Sequence, residues 1–345
     1  MFRSMIPFCV VILHAFVLSG HASEIWTGVG KPAQGFQAWR DQEKDYSPTL
    51  AIGASSLAFG PGEKLYLACE KYPDILVFDK NGSPPNRISL NGLQPGVDLE
   101  GMSICDNVLY LVNEDVLVDE GVPCLYSMPL NSPGTVWKFP LPEKLMIDTR
   151  PDDGNPTNNR SIEGLVVSKQ KYLPSLEPQQ GRTYLYLLDE RDTTPAGDKV
   201  AKVYVGYLNG DHVDFLSSPI VFPLTRGEKS KDWFRLCELF EFRGKLYALK
   251  TLEGEYHVVE LDMEAKTLRS VCDFTKYANG LSGEFDTNFE GAAVHPDGRL
   301  FLTADNENYD NDEVRAGGRT PLGPQVNMRG EVRKCTPLVC LPLKN

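Results

Sequence analysis

Histidine is scarce in this chain, CxxC pairs are missing, and no long apolar run follows Leu18. Of 5 histidines in 345 residues, only His212, His257 and His295 lie beyond the N-terminal segment, and none is within ligand spacing of another. That spacing weakens a zinc, copper or non-haem iron centre built on imidazole. The missing CxxC disfavours a thiolate zinc site. There is no GxSxG elbow, and Gly28-Val29-Gly30-Lys31 lacks the spacing and the strand–helix context of a phosphate loop, so a serine-hydrolase triad and a P-loop are both disfavoured. Positive charge is also short. Lys and Arg number 35 against 47 Asp and Glu, for a net charge of −12. This argues against a nucleic-acid partner or an anionic membrane surface, and it is compatible with divalent cations. Helical periodicity is nearly absent, and residues 141–147 and 262–267 hold a turn of helix at most.

What is present begins with Arg3, an apolar run from Met5 to Leu18, and the small-residue stretch Ser19-Gly20-His21-Ala22. This is the pattern of a secretory signal peptide over residues 1–22, cleaved near Ala22. The run is shorter than the ~20 residues of a comfortable membrane span. The mature chain, 23–345, is expected to be one exported, soluble domain, secreted or periplasmic, with no membrane contact after cleavage. It keeps Cys69, Cys105, Cys124, Cys237, Cys272, Cys335 and Cys340. An export compartment permits disulfides, and Cys105–Cys124 and Cys335–Cys340 are plausible local pairs.

A phrase of apolar–Glu–Gly–apolar recurs at Leu99-Glu100-Gly101-Met102, Ile162-Glu163-Gly164-Leu165 and Phe289-Glu290-Gly291-Ala292. Each phrase opens a short apolar strand that leads through a turn to a second strand rich in Leu and Tyr. Ser56 and Cys237 open two further hairpins of the same kind. The openings at 56, 100, 163, 237 and 290 are spaced 44, 63, 74 and 53 residues apart. A third strand follows each hairpin, at Ile75–Phe78, Cys124–Met128, Lys202–Leu208, Tyr256–Leu261 and, last, Gly330–Lys334. Periods of this size with about four strands each indicate an all-β propeller. Five blades are counted, and the longest gap leaves room for a sixth. Residues 25–50 are expected to supply the strand that closes the ring.

In a propeller the first strand of each blade lines the central channel, where glycine permits close backbone approach. Glu100, Glu163 and Glu290 should therefore converge, with Ser56 and Cys237 at the equivalent places of the other blades. Converging carboxylates repel and need a cation. Calcium, which takes six to eight oxygens in loose geometry, suits Ser56, Glu100, Glu163 and Glu290. The alternative is that these glutamates bond neighbouring amides and lock the blades together. A second polar set ends the second strands. Glu114, Asp189, Glu190 and Asp305 are candidates to orient or deprotonate an attacking water, and Lys71, Arg191 and Lys250 to bind an anion such as phosphate. The alternative here is a solvated acidic rim. The oxygen-rich stretch from Asp305 to Glu313 departs from the EF-hand loop, and Asn159-Arg160-Ser161 forms a glycosylation sequon abutting an inner strand.

The run Asn288-Phe289-Glu290-Gly291-Ala292-Ala293-Val294-His295-Pro296-Asp297-Gly298-Arg299-Leu300-Phe301-Leu302-Thr303-Ala304-Asp305-Asn306, with Arg160-Ser161-Ile162-Glu163-Gly164-Leu165, resembles the phytase-like propeller family labelled "esterase-like activity of phytase". The channel set also resembles the calcium-activated nucleotidases, five-bladed propellers whose central calcium is held by serine and glutamate at the inner-strand starts. Cys237 departs from that pattern, because a neutral thiol is a poor calcium ligand, and Glu238 stands one register away. The resemblance implies a calcium-dependent hydrolase of phosphoric esters or anhydrides acting on a small phosphate-containing substrate. Two other readings stay open: a non-catalytic, calcium-stabilised propeller that binds a protein or glycan through its rim, and a lactonase- or strictosidine synthase-like propeller.

Overall fold

Alternating apolar and polar residues between turn residues produce five antiparallel sheets, which follow one another along the chain. The computed structural model describes residues 25–32, 54–113, 123–142, 162–281, 288–305 and 338–344, apart from short interruptions within those stretches. The signal segment, Gly330–Lys334 and the sequon therefore lie outside the described residues.

The first blade is β2 (Ala54–Phe59), β3 (Leu65–Cys69), β4 (Asp74–Phe78) and β5 (Asn86–Ser89). The second is β6 (Leu99–Cys105), β7 (Val108–Asn113), β8 (Cys124–Pro129) and β9 (Trp137–Pro140). The third runs β10 (Ile162–Ser168), β11 (Tyr184–Thr193), β12 (Lys199–Asn209) and β13 (His212–Phe215), with β14 (Ile220–Pro223) also on β12. The fourth is β15 (Arg235–Phe242), β16 (Lys245–Leu252), β17 (Glu255–Asp262) and β18 (Thr267–Asp273). A short helix, α1 (Thr275–Leu281), follows it. The fifth has β19 (Asn288–Val294) innermost, then β20 (Leu300–Asp305), β21 (Leu338–Leu341) and, at the edge, β1 (Lys31–Pro32).

The architecture is a five-bladed β-propeller. The long gap before Cys237 holds no sixth blade. It is taken up by β11 and β12, which are 10 and 11 residues long, and by a fifth strand pairing with the far end of β12. The ring closes as expected, with β1 from the N-terminal side pairing with β21. The third strand of that blade is Leu338–Leu341 rather than Gly330–Lys334. The 262–267 segment is the tight link between β17 and β18, and the described helix falls later, at α1. Among the described residues no helix is long and apolar enough to cross a membrane.

Inner strands β2, β6, β10, β15 and β19 neighbour one another in that order and back to β2. Each gap between adjacent blades is filled by its own apolar cluster, five clusters for five interfaces. Trp26 sits in the cluster between the fourth and fifth blades, fully buried against Phe240, Phe242 and Tyr247, and its Nε1 donates to the Gly298 carbonyl at 2.8 Å. It fastens the N-terminal segment across the closure. Burying an indole there stabilises by a few kcal/mol, on the order of the ~3–5 kcal/mol lost when such a residue is truncated to Ala. Asp106-Asn107 and Arg243-Gly244 have positive φ at both positions, so they turn their hairpins in two residues with the twist the strands require.

The expected Cys105–Cys124 bridge does not form. Cys105 ends β6 and Cys124 begins β8, so the two stand at opposite ends of the blade, and Cys105 is a free thiol.

Glycine after the inner-strand glutamate meets the next blade. A β-carbon on Gly164 would lie 2.5 Å from the Leu239 nitrogen, and one on Gly291 would lie 3.1 Å from the Ser56 α-carbon. We expect Gly164→Ala to lower the unfolding free energy by about 1–3 kcal/mol. Gly280→Ala, in α1 with open space around it, should change it by less than ~1 kcal/mol. Urea denaturation of both variants measures this, and a Gly164→Ala protein as stable as wild type would contradict the close approach of the inner strands.

Candidate functional site at the channel mouth

Every inner strand carries a bulge at the same place. Leu99 pairs with Asn113 and Gly101 with Val112, which leaves Glu100 as the extra residue. The same slip leaves Glu163 between Ile162 and Gly164, and Glu290 between Phe289 and Gly291. In the other two blades it leaves Ser55, between Ala54 and Ser56, and Glu238, between Cys237 and Leu239. The equivalent set is thus Ser55, Glu100, Glu163, Glu238 and Glu290. This corrects the placement of Ser56 and Cys237, each one residue away from the bulge. A bulge shifts the alternation by one, which turns a side chain to the other face.

Ser56 is instead a partner of Glu238. The Glu238 side chain is fully buried, and its Oε2 accepts from Ser56 Oγ across the channel. Its Oε1 accepts from its neighbour's amide, Leu239 N, at 3.1 Å, and the amides of Leu57 and Ala292 also bond to the carboxyl. Three of the five blades therefore hold one carboxyl at the axis. Glu238 adopts φ of +44°, a left-handed conformation that costs a non-glycine residue about 1–3 kcal/mol and persists only where its surroundings fix it. Burial raises its pKa well above the ordinary carboxylate range, against the opposing pull of Ser56 and the three amides. Beside this plug lies a half-open cavity of about 170 Å³, lined by residues of all five inner strands, among them Leu57, Met102, Leu165, Leu239 and Ala292.

Above the plug the acids gather around a guanidinium that the sequence reading did not single out. Arg235 opens β15, and its Nη1 donates to Glu190 Oε2 at 3.2 Å. Its Nη2 donates to Glu290 Oε1 at 2.8 Å and to Asn288 Oδ1 at 2.5 Å. Asn288 Nδ2 in turn donates to Glu290 Oε1 at 2.7 Å. Ligand atoms of Glu163, Glu190 and Cys237 all lie within 4.8 Å of one another, and among the described residues no other group of three such side chains does so. Cys237 Sγ is 3.2 Å from Thr251 Oγ1. Burial opposes the charge on Arg235, yet Cys237, Glu190, Glu290 and Glu163 together raise its pKa well above the ordinary value. Burial also pushes the Cys237 thiol well up, and the three glutamates add to it against Arg235, so the sulfur keeps its proton at neutral pH.

The structure thus brings together Glu163, Glu190 and Glu290 from the expected sets, and Glu100 holds the equivalent bulge position on β6. Glu100 is buried on β6. Asp189 is buried on β11 opposite Ile162, and Asp305 ends β20 opposite Asn288. Lys250 turns to the other face of its blade: its Nζ donates to Thr225 Oγ1 at 2.9 Å and stands 4.1 Å from the centre of the Phe234 ring. Arg191 lies in the backbone of β11. Glu114, Lys71 and the acidic stretch beyond Asp305 fall outside the described residues. Arg235 and Asn288 were legible through one signal only, since each stands two residues before an inner-strand position already singled out and so shares its face.

No protein-family model matches the chain, and no curated protein matches it in sequence. Solved structures do match in fold. A glutaminyl cyclase from Myxococcus xanthus aligns over 86% of this chain and 93% of its own, at 13% identity and a TM-score of 0.45. The PQQ-bound aldose sugar dehydrogenase of Streptomyces coelicolor covers 86% and 96%, at 12% identity and 0.43. A gluconolactonase from Xanthomonas campestris covers 84% and 71%, at 11% and 0.41. Likeness at this level concerns the propeller and not the reaction.

Because the native state holds the Glu238 proton more tightly than the unfolded chain, stability is fullest below the ordinary glutamate range and falls as pH rises above it. We expect Glu238→Gln, which keeps the shape without the titration, to flatten this fall above the ordinary glutamate range. Thermal melts at rising pH test it, and an unchanged slope in the variant would contradict the assignment.

Proposed function

We propose that this chain is an exported hydrolase of phosphoric esters or anhydrides, dependent on a divalent cation at the channel mouth, as its resemblance to the phytase-like propellers implies. The supporting observation is a guanidinium set into a cluster of metal-ligating side chains. Glu163, Glu190 and Glu290 carry three negative charges when ionised and Arg235 returns one, so two remain for a divalent ion to offset. The carboxylates of Glu163 and Glu190 fit such an ion, calcium included, and would hold it. When bound, it would polarise a phosphoryl oxygen and offset charge on it.

The chain's own residues supply the rest. The planar fork of Arg235 matches two oxygens of a phosphate, and its side chain is 25% exposed, so it reaches a ligand at the mouth. Its bonds to Glu190, Glu290 and Asn288 fix its orientation before substrate arrives. Glu290, already bonded to Arg235, is the carboxylate placed to orient or deprotonate a water beside the bound phosphate. Glu190 and Glu290 thus exchange the roles expected of them from sequence. A non-catalytic propeller with a protein or glycan ligand draws on the same ion pairs, since Arg235 bonded on both sides also suits a purely structural closure.

Hydrolysis of an aryl phosphate and of a nucleoside diphosphate, with and without chelator, separates the two. We expect phosphate release that chelation abolishes and added divalent ion restores. Arg235→Lys should lower kcat/KM by about 100-fold, and Glu163→Gln should lose turnover. A folded wild-type protein that binds a divalent ion yet releases no phosphate would contradict the hydrolase.

A further inference from the structure

Cys237 has no role in the proposed hydrolysis, yet its sulfur lies within 4.8 Å of ligand oxygens of both Glu163 and Glu190. All three side chains are buried. Two carboxylates and a thiol are a mixed donor set. Calcium seeks six to eight hard oxygens and gains little from sulfur. Zinc and its softer relatives bind thiolate and carboxylate together, and their reactive sites use three protein ligands with a position left open. The surroundings fit that use. Thr251 Oγ1 at 3.2 Å from the sulfur and Arg235 Nη1 at 3.2 Å from Glu190 Oε2 steer two of the three ligands from outside. The scarcity of histidine and the missing CxxC argue against such an ion only where ligands are close in sequence. Here Glu163, Glu190 and Cys237 come from three different strands.

We propose that the channel mouth takes a thiophilic divalent ion, of the zinc and cadmium class, through Glu163, Glu190 and Cys237 in preference to calcium. The proposal rests on the reading that a divalent ion enters this site and names which one. Binding forms a metal–sulfur bond and releases the thiol proton to solvent, with no change of oxidation state.

Chelator-treated protein titrated with cadmium chloride tests this through the ultraviolet thiolate-to-metal absorption, a readout independent of turnover. The band should saturate at a single ion per chain, vanish when zinc is added, and survive an excess of calcium. Cys237→Ser should lack the band, bind zinc ~10-fold or more weakly, and gain calcium affinity relative to zinc. Cys105→Ser, altering the free thiol at the far end of its blade, should keep the band. A band that persists in Cys237→Ser, or calcium binding equally to wild type and Cys237→Ser with no cadmium–thiolate signal, would overturn the proposal while leaving a cation-dependent hydrolase standing. Protein that binds none of these ions would overturn both.

Discussion

Carboxylates brought to one narrow axis repel each other and lose hydration, and both costs must be offset where they arise. This molecule answers in two ways at two depths. At the mouth, the Arg235 guanidinium bonds to Glu190 and Glu290. One layer down, Glu238 is wrapped by Ser56 and main-chain amides, and burial favours its protonated form. This deeper group is fully enclosed. The upper group sets three glutamates around one guanidinium, whose side chain is 25% exposed. The cluster of metal-ligating atoms lies in the upper one.

The bulges make this separation possible. Each adds one residue to an inner strand, and that residue's side chain escapes the two-residue alternation that would otherwise bury it between blades. Glycine after the bulge lets the next blade pack against the backbone, as Gly164 does against Leu239. The same backbone irregularity thereby supplies the chemistry at the mouth and the tight ring beneath it.

Much of this was legible in the chain. The Glu-Gly phrase located three of the five bulges, and the spacing of the hairpins gave the five blades and their order. The residues misplaced were those where the phrase is broken. In the fourth blade Leu239 stands where the second, third and fifth have glycine, so Glu238 did not register as a member of the set, and Cys237 took its place. In the first blade two serines are adjacent, and nothing in sequence says which one a bulge will lift out. Arg235 was missed for a different reason. Its role comes from Glu190 and Glu290, 45 and 55 residues away, and the closing of the ring brings them together. Sequence periodicity reports which face a residue shares, not which distant charge it meets.

The claim beneath all of this is that Arg235 is the internal counter-ion of the acidic mouth. A double-mutant cycle with Arg235→Met, Glu290→Gln and the pair, read by chemical denaturation, measures it directly. A favourable coupling of about 2–3 kcal/mol is expected for a buried, hydrogen-bonded pair of this kind. Losses that simply add, within ~0.5 kcal/mol, would show that the guanidinium and the carboxylate do not depend on each other, and the picture of the mouth would have to be abandoned.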